Sequence, residues 1–243
     1  METHVYDELA IAELKHWWCV GRRAILADTI AREVEGEKMR ALDIGCGSGL
    51  NAKILETKAK EVTGIESEHH AINLAAQFAP NLRVVKGTFP NVRLDGYFDI
   101  VTLFDVLEHC VDDVTTLKII HGLMTPSGTL MLTVPAFAWL WTAHDDIVHH
   151  KRRYTKNKLQ KKIEAAGFRV ERITYFNTLL FPAIVALRTV RSIFGITQTT
   201  SDYALPNPIL NWIFGKIFGL EKYLLRYVNL PVGVSRLCIA KRK

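Results

Sequence analysis

Three glycines at alternate positions form the segment of this chain with the clearest chemical meaning. Gly45, Gly47 and Gly49 follow the apolar run 41–44, which contains the acidic residue Asp43. Glycine has no Cβ, so a strand that runs into such a turn lets the backbone approach a ligand closely. The spacing is G-x-G-x-G rather than G-x-G-x-x-G, and no Gly-Lys-Ser/Thr follows. The turn is therefore predicted to bind a ligand other than a pyrophosphate.

A carboxylate at the end of the next predicted strand narrows the choice of ligand. Residues 61–66 form a short β-type run that ends in Glu66. This position lies about twenty residues beyond the glycine turn, where a carboxylate can accept hydrogen bonds from the hydroxyls of a ribose. The two features together predict a site for a ligand that contains a ribose.

Four motifs in this order resemble those of the class I S-adenosylmethionine-dependent methyltransferases, including the ubiquinone-pathway members. The motifs span 42–49, 62–66, 98–109 and 123–133, and the resemblance covers roughly residues 16–176. It implies an α/β Rossmann-like fold with a seven-stranded, mostly parallel sheet of order 3-2-1-4-5-7-6 and helices on both faces. The last strand would be antiparallel, with a helical insertion before it. The implied cofactor is S-adenosyl-L-methionine.

The same resemblance implies which residues hold this cofactor. The glycine loop would bind the amino-acid part, Asp43 would order the loop, and Glu66 would accept from the ribose hydroxyls. Trp18 would cover the pocket and Arg22 would pair with the methionine carboxylate, although an amphipathic helix with buried tryptophans is the alternative for this segment. The full predicted set is Trp18, Arg22, Asp43, Gly45, Cys46, Gly47, Gly49, Glu66, Ser67, Gly87, Thr88, Phe104, Asp105 and Val106.

A D-x-x-E-H run at the end of the predicted fourth strand carries the candidate catalytic groups. Asp105, Glu108 and His109 resemble the E-x-x-E-H of small-RNA 2′-O-methyltransferases and ubiquinone-pathway enzymes, which bind a divalent metal there with a further histidine. Here His149 is the candidate for that histidine, and such a metal would lower the pKa of a substrate hydroxyl. Aspartate reaches less far than glutamate, however, and many relatives carry L-E-H without a metal. The alternative is metal-free catalysis by Glu108 with His109 or His150 as general base.

Length and composition favour one domain over residues 1–243, with an N-terminal helical cap over 1–34. The chain has 243 residues, of which 49% are hydrophobic, and a mean hydropathy of +0.08. Its four cysteines are scattered without C-x-x-C spacing, so neither disulfides nor a zinc ribbon is predicted. No basic segment leads into an apolar one at the N-terminus, so no signal peptide is predicted. We therefore expect a cytoplasmic protein, with membrane association as an option.

The pattern of apolar runs predicts alternating strands and helices, which is typical of a parallel sheet covered on both faces. Strands are predicted near 40–45, 61–66, 82–86, 98–104, 128–134, 170–176 and 235–241. Helices are predicted near 8–34, 49–57, 68–78, 112–123 and 155–166, with others in 178–228. Gly167 reads as the glycine that ends the helix before the sixth strand.

The segment 177–233 is an insertion that a minimal methyltransferase lacks. It is rich in apolar residues, and basic residues such as Arg188, Arg191 and Lys216 edge them. Its uncharged run 173–187 is too short to span a bilayer. The composition is typical of an interfacial membrane helix or of a lid over an apolar substrate. Packing against the sheet or a dimer partner is the alternative, and the oligomeric state stays open.

Charge is distributed unevenly along the chain and bears on the acceptor. Residues 1–149 carry 13 Lys/Arg against 21 Asp/Glu, whereas residues 150–243 carry 18 against 4. The basic run Lys151–Arg153 is a candidate binding site for an anionic group of the substrate. The acceptor is predicted to be an oxygen of a small, hydrophobic or lipid-linked molecule. RNA is the second option and a non-catalytic binding protein the third, but no RNA-binding module is visible.

Overall fold

A single sheet of seven strands forms the centre of the computed structural model, which describes residues 11–36, 38–194 and 205–243. The strands are β1 (Lys38–Ile44), β2 (Ala59–Glu66), β3 (Arg83–Lys86), β4 (Phe98–Phe104), β5 (Met124–Pro135), β6 (Phe168–Phe176) and β7 (Ser235–Arg242). Their order is β3-β2-β1-β4-β5-β7-β6, and β7 runs antiparallel to both of its neighbours. The predicted order and the mostly parallel Rossmann-like sheet are thereby confirmed.

Eight α-helices follow a short helical segment over the described residues 11–15. They are α1 (Trp17–Glu33), α2 (Ala52–Leu55), α3 (His69–Phe78), α4 (Asp113–Gly122), α5 (Ala143–Ile147), α6 (Lys156–Ala165), α7 (Phe181–Ile193) and α8 (Pro208–Leu224). Gly167 has a φ of +99°, as expected for a glycine that follows the end of α6. The predicted helix 8–34 is broken at His16, whose extended backbone caps α1, and its residues 8–10 lie outside the described part.

Alternating residues of the central strands enter two separate apolar layers, because successive side chains of a strand point to opposite faces. Ile100 and Met131 pack on one face with Ile25 of α1. Their neighbours Val101 and Leu132 pack on the other face, which α4 and α6 cover. The sheet is thus buried on both sides, and its carboxyl edge is left to form a site.

The insertion 177–233 contributes α7 and α8, and α8 packs directly on α1. Phe218 of α8 is fully buried and stacks on Phe176, with ring centroids 6.1 Å apart. The approach is close at Gly21 of α1, where an added Cβ would lie 2.5 Å from the Phe218 ring. The buried Glu221 carboxylate accepts hydrogen bonds from the backbone N–H groups of Thr178 and Leu179, at 2.6 and 2.7 Å. The insertion is therefore fastened to the cap helix.

Part of the expected helical insertion, residues 195–204, lies outside the described part of the chain. Among the helices that are described, none combines the length and apolar character needed to cross a membrane.

Candidate active site

The glycine turn after β1 has the left-handed backbone that its sequence predicts. Gly45, Gly47 and Gly49 have φ values of +72°, +54° and +79°, which side chains with a Cβ rarely adopt. A Cβ at Gly45 would lie 2.6 Å from Val106 Cγ2, and one at Gly49 would lie 2.9 Å from Ala79 Cβ. At Gly47, by contrast, the nearest protein atom would be 3.8 Å away. The middle glycine therefore faces space that a ligand can fill.

Glu66 holds this turn from the end of β2. One carboxylate oxygen accepts a hydrogen bond from the Gly47 N–H at 3.0 Å, and the other accepts from the Ser67 and Glu68 N–H groups at 2.7 and 3.0 Å. The predicted nucleoside carboxylate and the glycine turn therefore lie side by side, as the parallel pairing of β1 with β2 requires. Ser67 is exposed next to them.

Asp43 lies buried beneath the turn rather than in it. Its Oδ1 accepts a hydrogen bond from the Thr102 hydroxyl at 2.6 Å, across the β1–β4 pair. Burial raises the pKa of Asp43 to about 7, although the Thr102 hydrogen bond acts in the opposite direction. The hydrogen bond of this carboxyl is therefore to β4, and its role in ordering the loop stays a prediction.

The remaining predicted cofactor residues follow the carboxyl ends of the first four strands. Cys46 is buried against Gly64, where an added Cβ would lie 2.5 Å from its sulfur. Gly87 and Thr88 follow β3, and Phe104 ends β4 in one apolar layer, whereas Val106 packs against the other. The sheet order brings these ends together at one edge, which is where open α/β sheets bind ligands.

The N-terminal helices cover the same edge. Arg22 forms an ion pair with Asp105, and its guanidinium lies 4.5 Å from the centroid of the Trp18 ring. Asp105 has a φ of +59° and accepts a hydrogen bond from the Thr133 hydroxyl at 3.1 Å. Arg22 is predicted to pair with the carboxylate of the cofactor. In this structure its guanidinium pairs with the Asp105 carboxylate instead. Glu13, which sequence reasoning missed, accepts a hydrogen bond from Ser48 of the glycine loop.

A cavity of about 390 Å³ opens beside Asp105. Its polar wall includes Glu108, His109 and His150. The apolar wall comes from the cap and the insertion, among them Trp17 and Ile184. The predicted catalytic residues and the insertion therefore share one cavity at the carboxyl edge of the sheet.

His150 is held in one orientation by a buried carboxylate. Its Nδ1 lies 2.8 Å from Asp145 Oδ1, and Arg153 binds both Asp145 oxygens at 2.9 and 2.7 Å. Burial alone raises the pKa of the Asp145 carboxyl, but hydrogen bonds from His150 and Arg153 outweigh it and hold that pKa below its usual range. An ionised carboxylate only accepts, so Nδ1 carries a proton, and in the neutral imidazole Nε2 is then the hydrogen-bond acceptor.

Sequence reasoning missed Asp145, although a local signal for it exists. The T-x-x-D pattern of Thr142 and Asp145 forms a capping box at the start of α5, in which Asp145 Oδ2 accepts from the Thr142 N–H at 2.8 Å. The cap directs this carboxylate inward, and α5 ends at Ile147, so that His150 folds back onto it. His149, with a φ of +60°, makes that reversal.

Glu108 and His109 complete the polar wall. Both Glu108 carboxylate oxygens are buried and lack a hydrogen-bond partner, and His150 Nε2 is 3.7 Å from Oε1, too far for such a bond. Burial, and then the nearby Asp105 carboxylate, raise the pKa of Glu108 well above its usual value. Burial, and then His150, lower the pKa of His109 to about 4. Burial therefore favours the uncharged form of both groups.

A divalent metal also fits this donor set. The structure brings ligand atoms of Glu108, His109 and His150 within 4.8 Å of one another. Two imidazoles and a carboxylate suit a transition metal, and a metal would satisfy the unpartnered Glu108 oxygens. This group differs from the predicted one, because it contains His150, whereas Asp105 pairs with Arg22 and His149 is not a member.

The two arginines of the basic run after α5 form ion pairs within the protein. Arg152 pairs with Asp113 at 3.0 Å, and Arg153 pairs with Asp145 at 2.7 Å. The side chain of Arg153 is only 5% exposed. Both arginines are therefore already paired with carboxylates of the protein, and an anion site at this run stays a prediction.

Comparisons with known proteins identify the family of the chain. A family model described as a methyltransferase domain matches residues 21–173. A probable S-adenosylmethionine-dependent methyltransferase of Mycolicibacterium smegmatis is 24% identical over 164 residues, which are 66% of this chain and 62% of that protein. A ubiquinone biosynthesis O-methyltransferase of Pseudomonas aeruginosa is 28% identical over 100 residues, which are 39% of this chain and 43% of that protein. The chain therefore spans less than two thirds of both relatives.

Solved structures match over most of the chain at low identity. An S-adenosylmethionine-dependent methyltransferase from Clostridium acetobutylicum gives a TM-score of 0.60 at 10% identity, covering 98% of this chain and 96% of that one. An N-methyltransferase from Bradyrhizobium japonicum in complex with S-adenosyl-L-homocysteine gives 0.54 at 13% identity, covering 90% and 83%. These likenesses support the fold.

The chain belongs to the methyltransferase-domain family, whose model matches more than half of it. Its seven-stranded sheet has the class I methyltransferase fold.

Proposed function

We propose that the chain methylates an oxygen of a small, hydrophobic or lipid-linked acceptor, with His150 as general base. The observation that carries the proposal is the contact of 2.8 Å between His150 Nδ1 and the buried Asp145. It leaves Nε2 to face the cavity as a hydrogen-bond acceptor. His150 takes the hydroxyl proton as the acceptor oxygen bonds to the methyl carbon and the C–S bond breaks. The products are a methyl ether and S-adenosyl-L-homocysteine.

The predicted cofactor residues are proposed to hold the donor next to this base. S-adenosyl-L-methionine carries an already activated methyl group, so the protein mainly aligns the acceptor and excludes water. In this arrangement Glu66 accepts from the ribose hydroxyls, and the space in front of Gly47 receives the amino-acid part. Asp105 lies between the proposed cofactor site and the acceptor cavity. Methyl transfer is therefore proposed to occur next to Asp105.

The apolar wall of the cavity supports a hydrophobic acceptor. Trp17, Ile184 and Leu187 lie on this wall, opposite the histidines. The similarity to a ubiquinone biosynthesis O-methyltransferase over 100 residues supports an oxygen as the atom that is methylated. We accordingly treat residues 1–243 as one methyltransferase domain, in which the cap 1–34 and the insertion 177–233 enclose the acceptor.

The outer surface of the insertion supports a membrane-associated role for a cytoplasmic protein. Ile209 and Trp212 of α8 are 69% and 64% exposed, and Tyr227, just after that helix, is 85% exposed. The exposed Lys216 lies among them, with its ammonium 5.8 Å from the centroid of the Trp212 ring. Exposed aromatic and aliphatic side chains edged by lysines are typical of helices that lie in a membrane interface.

Metal-assisted transfer is the second candidate, and the unpartnered oxygens of Glu108 favour it. A metal held by Glu108, His109 and His150 would lower the pKa of the acceptor hydroxyl. Dialysis against EDTA distinguishes the two mechanisms. Activity that disappears and returns with Mn²⁺ or Zn²⁺ supports the metal, whereas activity that persists supports His150 as the base.

A direct assay tests the proposed function. Protein is incubated with methyl-labelled S-adenosyl-L-methionine and a catechol that carries a short isoprenoid tail, and the label in the organic phase is counted. We expect label in the methyl ether, and less label from the same catechol without its tail. Total RNA serves as the competing acceptor. Label in RNA alone contradicts an apolar acceptor, and the lack of any transfer despite cofactor binding favours a binding protein without catalysis.

A further inference from the structure

Helix α7 carries two arginines on the face that lines the acceptor cavity. Soluble helices turn their apolar face inward and their charges outward. In α7 the half-buried residues Ile184, Arg188 and Arg191 share one face, at i, i+4 and i+7, and line the acceptor cavity. Val190, which lines neither cavity, is 47% exposed. Two guanidinium groups thus point toward the site in a position that packing alone would give to apolar side chains.

These arginines stand where two cavities meet. A second cavity of about 390 Å³ lies on the other side of them. Trp139, Trp141 and Val185 contribute the aromatic and aliphatic part of its wall, and Thr142 and Thr189 contribute to the polar part. Arg188 and Arg191 line both cavities. A molecule that extends from His150 into the second cavity therefore passes the two guanidinium groups.

The two arginines differ in what they already bind. Arg188 donates a hydrogen bond to the Leu140 carbonyl at 2.6 Å, which fixes its position at the junction. For Arg191, the described parts of the chain contain no carboxylate in ion-pair contact. Arg153, which lines the same cavity, is by contrast taken up by Asp145. A half-buried guanidinium without a carboxylate strongly favours an anion, because each N–H donor gains a charge-assisted hydrogen bond.

We propose that Arg191, supported by Arg188, binds an anionic group of the acceptor, a phosphate or a carboxylate. The apolar part of the acceptor then lies in the second cavity between Trp139 and Trp141, and its hydroxyl lies at His150. The acceptor is accordingly an anionic amphiphile. This inference rests on the proposed function for the identity of the bound molecule, and the test below reads binding without requiring turnover.

Calorimetry on the full chain saturated with S-adenosyl-L-homocysteine tests the site. The probes are decyl phosphate and decanoate below their micelle concentrations, with 1-decanol as the uncharged analogue and inorganic phosphate as the anion without a tail. We expect Arg191→Gln to weaken binding of the anionic amphiphiles by about tenfold or more. Binding of 1-decanol should be unaffected by that variant. Arg191→Lys should recover part of the loss, since a lysine keeps the charge but not the forked geometry.

Lys161→Gln is the matched control, because it removes the same charge from an exposed position of α6 outside both cavities. It should leave binding of every probe unchanged. If inorganic phosphate binds and Arg191→Gln weakens its binding equally, a free anion is sufficient for binding at this site. If only the decyl compounds bind, the ligand must be an amphiphile. The inference is overturned if Arg191→Gln binds decyl phosphate as tightly as the parent does, or if the parent binds neither anionic amphiphile. Unchanged affinity for S-adenosyl-L-homocysteine in each variant separates that failure from a failure of the cofactor site.

Discussion

Gly47→Ala is the perturbation that separates ligand contact from backbone strain in the glycine turn. Gly47 has a φ of +54°, and a Cβ there would meet no protein atom closer than 3.8 Å. A residue with a Cβ pays about 1–2 kcal/mol to adopt this left-handed conformation. The free energy of unfolding of the unliganded variant should therefore fall by about 1–2 kcal/mol, with no additional loss from a clash.

Gly36 supplies a matched control in the same chain. Its φ is +65°, and no atom lies within 4 Å of where its Cβ would be. It follows α1 on the exposed surface, away from the carboxyl edge of the sheet. Gly36→Ala should therefore lose the same stability, about 1–2 kcal/mol, by the same conformational mechanism. The two variants differ only in whether a ligand approaches the new methyl group.

Urea unfolding without ligand and calorimetry with S-adenosyl-L-homocysteine make the comparison. We expect equal losses in stability, together with a loss of affinity of about tenfold or more for Gly47→Ala alone. Equal affinities for the two variants would refute the assignment of the turn to the cofactor. A much larger loss of stability at Gly47 than at Gly36 would refute the conformational reasoning, since it would require a clash that the structure lacks.

Three further predictions concern single carboxylates or imidazoles of the site. Glu66→Gln should weaken S-adenosyl-L-homocysteine binding by on the order of 1–3 kcal/mol, because one ribose acceptor is lost; undiminished affinity in calorimetry contradicts the assignment. His150→Gln should slow methyl transfer to the tailed catechol by roughly 10²-fold or more while cofactor affinity stays unchanged, and a change in KM alone contradicts a base. Burial raises the pKa of Asp43 to about 7, whereas the same carboxyl in the unfolded chain releases its proton near pH 4. The contribution of Asp43 to the free energy of unfolding therefore falls as the pH rises from about 4 to about 7. Relative to the parent, Asp43→Asn should gain on the order of 4 kcal/mol of unfolding free energy between about pH 4 and pH 7, and a constant difference contradicts the raised pKa.

The strands could be predicted from the sequence because the sheet is buried on both faces. Such strands appear as continuous apolar runs, and the predicted 98–104 coincides with β4 (Phe98–Phe104). Prediction was poorer where pairing extends a strand beyond its apolar run. β5 begins at Met124 instead of near 128, because Met124 pairs with Phe98 before a register shift in the ladder.

The support of His150 could not be predicted from residue spacing. Asp145 lies five residues before it, a separation that does not bring two side chains together on a continuous helix. They meet because α5 stops at Ile147 and the chain reverses at His149. The pairing of Arg22 with Asp105 is likewise tertiary, since it requires α1 to cross the end of β4. Sequence patterns identify the participants in such contacts but not their partners.

Ion pairs between the two halves of the chain explain part of its uneven distribution of charge. Basic residues beyond position 150 pair with acids of the first half, which carries the negative balance. Four such pairs are Arg152 with Asp113, Arg153 with Asp145, Arg172 with Glu33, and Arg226 with Asp28. The two halves thus neutralise each other across the fold, and net charge by itself gives little reason to expect a nucleic acid. An external anion is expected to bind where a guanidinium group lines a cavity and forms no ion pair with a carboxylate of the protein. Within the described residues, Arg191 meets this condition in the cavity that also contains the proposed base His150.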